Sequence, residues 1–216
     1  MDHFTRSAAA LHAAVAELTD DEFAVPSGCA GWLIRDLLCH LVVDAQDVLI
    51  TLATPTDEAA TRDAYSYWTV GSVPPTGDDP LDALIVRLAA AYREPALLRH
   101  HFDDVFCAAM RAAALADPDR RVATQGFVLT AGDYLAAYVL EWTLHHLDLT
   151  AHRRHATDPP AETLARARAM LARITGEKFP DSLDDADVLR VATGRRPATQ
   201  VAGLGPIADR LPFVLG

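Results

Sequence analysis

Four stretches of this chain repeat apolar residues three and four apart, the spacing of one helix face. The first carries Phe4, Ala8, Leu11, Val15 and Leu18; the second carries Ile34, Leu37, Leu38, Leu41, Val42, Ala45 and Val48. The third runs over 81–115 with a break at Pro95, and its apolar side holds Leu97, Phe102, Val105, Phe106, Ala109 and Met110. The fourth spans about 130–155 through Tyr134, Leu135, Tyr138, Val139, Trp142 and Leu147. Strand patterning is limited to the short run Phe127–Leu129. Helices of this kind bury their apolar stripes against one another, so the expected fold is all-α, an antiparallel four-helix bundle.

Local punctuation sets the element ends. Asp20, Asp21 and Pro26 stop the first helix, and the second begins near Leu33 with Asp36 in its first turn, where a carboxylate suits the helix dipole. Residues 54–80 are rich in turn formers and read as a long surface loop, with Tyr65, Tyr67 and Trp68 folding back. Thr130 and Asp133 read as a capping box for the fourth helix, which Pro159 and Pro160 terminate. Two shorter helical stretches follow, about 161–175 and 183–193, and then a Gly/Pro-punctuated tail. The reading is a bundle over 1–157 and a short, mainly helical C-terminal extension over 158–216.

A formal net charge of -11 argues against a sequence-independent grip on nucleic acid and against a polybasic membrane anchor. No run approaches the roughly 18–20 apolar residues of a membrane span, and the charged N-terminus lacks a signal-peptide core. Cys29, Cys39 and Cys107 are odd in number and show no C-x-x-C spacing, which disfavours a disulfide framework. The expectation is a cytoplasmic protein, monomeric or homodimeric, with no nucleic-acid or membrane partner.

Glu141 and His145 lie four apart in EWTLHHLDLT and share a helix face, about 5–6 Å apart at Cβ. With His40 from the second helix they make two imidazoles and one carboxylate, a set that leaves a fourth metal position open. Asp148 and Asp44 are spaced to accept the far ring N–H of His145 and His40. His146 is the competing ligand, and no cysteine falls at a ligand position in this reading. An exposed Glu–His pair and a hydrogen-bonded core histidine are the plain alternatives.

GWLIRDLLCHLVV resembles the W-x3-D-L-x2-H-L segment of the mycothiol-dependent maleylpyruvate isomerase-like proteins, members of the DinB/YfiT-like superfamily. EWTLHHLDLT resembles the family's E-x3-H-x2-D-L segment, and LRVATGRRP its late T-G-R segment, in the same order over roughly residues 5–200. The resemblance implies a four-helix bundle holding a divalent metal, usually zinc, through His40, Glu141 and His145. It also implies a low-molecular-weight thiol cosubstrate, mycothiol. Where the family commonly has Ser or Thr after the motif Trp, this chain has Leu33. The C-terminal part is shorter than the α/β domain of the isomerase proper.

The chemistry so implied is uptake of that thiol as thiolate and its addition to an electrophilic small molecule, giving S-transfer or isomerisation. Arg190, Arg195 or Arg196 would bind a substrate carboxylate. Two rivals stand beside it. A metal-dependent hydrolase would hold water in the open position, although the chain has no H-E-x-x-H motif. A non-catalytic bundle would use the ion for regulation or bracing.

Overall fold

The computed structural model describes residues 3–73, 76, 80–153 and 156–216. Helices α1 (His3–Ala16), α2 (Ile34–Leu52), α4 (Pro95–Leu115) and α5 (Ala131–Thr150) make an all-α bundle, with the shorter α3 (Pro80–Ala91) laid against α2. Helix α1 packs on α5 and α4, while α2 packs on α4 and also meets α5. The core is aromatic at its centre: the Trp142 ring lies tilted 4.5 Å from Phe106 and 4.9 Å from Phe4, ring centre to ring centre. All three rings are buried and join a continuous set of Leu, Ile and Val side chains from every long helix.

The helix starts follow local chemistry. Thr130 caps α5 by accepting the Asp133 N–H at 3.0 Å. At α2 the position that favours Ser or Thr is Leu33, which has no side-chain acceptor. Asp36 compensates by accepting the Leu33 N–H at 2.8 Å, so one orphan donor of the first turn is satisfied from inside the helix. The fourth helix is shorter than the expected 130–155. It ends at Thr150, beyond which the chain turns, with the Arg153 N–H returning to the Thr150 carbonyl. Arg154 and His155 lie outside the described residues.

Strand structure exceeds the single run expected. Strands β2 (Arg121–Thr124) and β3 (Phe127–Thr130) form an antiparallel hairpin between α4 and α5. Its two-residue turn has Gln125 at φ 47 and Gly126 at φ 82, the positive pair that a tight hairpin requires. The loop after α2 is pinned to this hairpin: Thr61 donates its N–H to Val128 at 2.8 Å, and Thr56 donates to Arg121 at 3.0 Å. Tyr67 then meets Tyr134 edge-on, and Arg173 lies over the Tyr65 ring at 3.7 Å.

Helices α6 (Ala161–Thr175) and α7 (Asp185–Ala192) follow, and they share the bundle's core through Ala167, Met170, Leu171, Val188 and Leu189. The tail runs back to place β4 (Val214–Leu215) antiparallel to β1 (Val70–Gly71). That pairing ties the C-terminal residues to the loop in front of α3, at the mouth of a cleft.

Candidate metal centre

His40 lies two turns into α2, and Glu141 and His145 stack on the facing side of α5. Their donor atoms converge. His40 Nε2 is 3.1 Å from His145 Nε2, and Glu141 Oε1 is 3.0 Å from His145 Nε2 and 3.7 Å from His40 Nε2. A tetrahedral ion with bonds of about 2.0–2.2 Å spaces its ligand atoms about 3.3–3.6 Å apart. The three edges bracket that range, so the residues fit such an ion. A second observation points the same way: Asp44 Oδ2 is buried with no hydrogen-bond partner, 3.5 Å from His40 Nε2. A carboxylate oxygen stripped of water needs a cation or a donor nearby.

Asp44 departs from its expected role. The i,i+4 spacing sets its carboxylate beside Nε2, the nitrogen that faces the cluster, rather than at the far ring N–H. Burial pushes its carboxyl up to about 6, against the pull of His40. Asp148 stands on the other side of His145, with Oδ2 3.0 Å from Nδ1. Because a carboxylate accepts, Nδ1 carries the hydrogen, and the neutral ring then offers its Nε2 lone pair to the cluster. Burial lowers the pKa of His145, but the Glu141 charge and the Asp148 bond outweigh it and hold the ring well above its ordinary value. Burial likewise opposes ionisation of Glu141 and Asp148. His145 with His40, and Arg195 with His145, hold both carboxyls below the usual range.

Asp148 is fixed from three directions that sequence spacing did not expose. Arg195 donates Nε–H and Nη2–H to its two oxygens, each at 2.8 Å, a bidentate fork. Cys29 donates its S–H to Oδ2 at 3.2 Å and lies 3.8 Å from His145 Nδ1. No cysteine was expected at a ligand position, and Cys29 sits behind His145, on its Nδ1 side and not on its Nε2 side. Burial and the Asp148 charge push its thiol pKa up. Gly28 completes the cradle. It donates its N–H to the Asp148 carbonyl at 2.9 Å, and a Cβ there would stand 2.5 Å from Asp148 Oδ1.

The T-G-R segment acquires a physical meaning here. Gly194, at φ 80, ends α7 in a left-handed turn whose Gly194 N–H returns to Val191 and whose Arg195 N–H returns to Arg190 at 2.8 Å. This is the Schellman pattern, and it swings Arg195 back toward α5. The arginine expected to hold a substrate carboxylate is therefore engaged with Asp148. Arg190 faces Asp158 at 3.9 Å and Arg196 pairs with Asp187 at 2.9 Å, neither of them in the cleft wall. His146, the competing ligand, turns away to face the Thr157 carbonyl at 2.9 Å.

The cluster opens on a cleft of about 360 Å³ between α2, α5 and the C-terminal tail. Trp32, Leu144, Val214 and Leu215 supply its apolar wall, and the Trp32 ring sits 5.2 Å from that of His40.

The sequence profile described as the mycothiol maleylpyruvate isomerase N-terminal domain matches residues 4–150. The chain belongs to this family. No curated protein and no solved structure matches it. The family domain covers α1 through α5, so the three converging side chains lie within it, and Arg195 and the rest of the tail lie beyond it. Among the described residues no helix of this family member is long and apolar enough to cross a membrane.

Proposed function

We propose that this member of the mycothiol maleylpyruvate isomerase family is a zinc-dependent enzyme. It activates a low-molecular-weight thiol, mycothiol or one like it, for S-transfer to, or thiol-assisted isomerisation of, an electrophilic small molecule. The observation that carries the reading is the convergence of His40 Nε2, Glu141 Oε1 and His145 Nε2 within 3.0–3.7 Å of one another beside an open cleft. His40, Glu141 and His145 would hold the ion. A divalent ion there supplies the charge that deprotonates a thiol near neutral pH, where a free thiol is only a few per cent ionised.

The chain's own residues prepare that site. Asp148 keeps the Nδ1 hydrogen on His145, so once the ring gives up its second proton the Nε2 lone pair points at the cluster. Arg195 and Gly28 hold Asp148 in place, and Leu144, Val214 and Leu215 reduce the water around the reacting groups. Cys29 remains protonated and donates to Asp148, so the reacting sulfur comes from outside the chain. A cytoplasmic location, where such thiols are kept reduced, belongs to the same reading.

Metal analysis of the purified protein and thiol-consumption assays with mycothiol and a reactive electrophile test this. One zinc per chain and thiol consumption that vanishes in His40→Ala support it. Full activity in metal-free protein refutes it.

A further inference from the structure

One carboxylate of the cluster has no task in the three-residue site. Asp44 is buried on α2, one turn after His40, and its Oδ2 has no hydrogen-bond partner. Asp47, three residues further along the same helix, is provided for. Its Oδ2 accepts the hydroxyls of Tyr134 at 2.7 Å and Tyr138 at 2.9 Å, which uses the one donor hydrogen of each phenol. Beside Asp44 stand the metal-site residues instead. Donor atoms of His40, Asp44, Glu141 and His145 all lie within 4.8 Å of one another. Two buried carboxylates this close repel each other unless a cation lies between them.

Position separates Asp44 from the other three. His40, Glu141 and His145 line the cleft and Asp44 does not, so it approaches the cluster from the interior side. Its 3.5 Å edge to His40 Nε2 falls inside the spacing of ligand atoms around a tetrahedral ion, about 3.3–3.6 Å. Two imidazoles and two carboxylates also balance the charge of a divalent cation, which suits a buried position.

We infer that Asp44 is a fourth protein ligand, holding the ion from the interior while the cleft side stays free for an incoming ligand. That ligand then needs no protein group to leave, since zinc accepts a fifth donor. The inference rests on the metal site proposed above and deepens it.

The test is metal binding to the full chain, zinc by chelator competition and cobalt(II) by its visible bands, which report the donors bound directly to the ion. Asp44→Asn and Asp44→Ala are expected to shift the cobalt bands and to lower zinc affinity by more than about 100-fold, beyond the range of a group that only orients a ligand. A loss of about 100-fold or less, or unshifted bands, overturns the inference. Melting curves show that the variant folds and supply a second readout. Metal-free Asp44→Asn is expected to melt above metal-free wild type, because a buried charge beside Glu141 is gone. Zinc-loaded Asp44→Asn is expected to melt below zinc-loaded wild type, because the ion is held less tightly. Without that reversal of sign Asp44 is a structural carboxylate, and the assignment falls. Wild-type chain that binds no zinc overturns this assignment and the proposed function together. A chain that holds zinc through Asp44 but consumes no thiol refutes the function alone.

Discussion

At the scale of single residues, the site depends on side chains that do not touch the open face. Asp148 makes no approach to the cluster on the Nε2 side, yet it sets the tautomer of a ring that does. Replacing such a partner typically costs 10–100-fold in metal affinity. Asp148→Asn is therefore expected to weaken zinc binding by about that factor in chelator competition, while His40→Ala abolishes binding; an unchanged affinity in Asp148→Asn would remove the orienting role. Proton bookkeeping adds a second prediction. Glu141 and Asp148 hold His145 protonated above its ordinary 6.5, so metal uptake at neutral pH has to displace a proton. Calorimetric heats of zinc binding should then vary with the ionisation enthalpy of the buffer, and affinity should fall as pH falls. Buffer-independent heats would contradict this. That Glu141 and His145 share a helix face was legible from their spacing of four, whereas that His40 meets them depends on how α2 and α5 pack. Cys29 and Gly28 were not legible, because they reach Asp148 from a loop over a hundred positions away in sequence.

At the scale of elements, the turns matter as much as the helices. The Schellman turn at Gly194 stands at φ 80, where any Cβ is strained, and a Cβ would meet that of Pro212 at 3.1 Å. Gly194→Ala is expected to cost about 1–2 kcal/mol, read as a drop of several degrees in melting temperature. It should also loosen zinc binding, because Arg195 loses its aim at Asp148. A lower melting temperature with unchanged zinc affinity would separate the turn from the site. Thr130→Ala removes the α5 cap and should cost about 1 kcal/mol, with zinc affinity intact since the cap lies at the opposite end of the helix. The bundle helices and this cap were readable from local pattern. The hairpin's first strand was not: Arg121–Thr124 has too few residues for a period to emerge, and pairing with Phe127–Thr130 decides its state. Helix α5 also stops short of its apparent pattern, because Gly28 closes on the Asp148 carbonyl just before the chain turns away.

For the whole molecule, the buried ion pairs make stability of the metal-free protein a function of pH. The folded pKa of Asp148 is below its ordinary 3.8, so its pairing with Arg195 and His145 contributes stability that is fully present above that value. It is lost as pH falls through the lower folded value. Glu141 adds the same sign below its ordinary 4.5. Thermal melting of metal-free protein should thus decline steeply below about pH 4, and Asp148→Asn should flatten that decline; a parallel curve for the variant would show that the pair contributes nothing. The same accounting separates what this chain declares from what folding decides. Helix spans, the Thr130 cap and the one-face stacking of Glu141 with His145 arise from neighbours along the chain, and periodicity records them. The partners of Asp148, Arg195 among them, and the meeting of His40 with His145 arise from contacts between distant segments. No local pattern encodes those, because each depends on where two helices and a returning tail come to rest against one another.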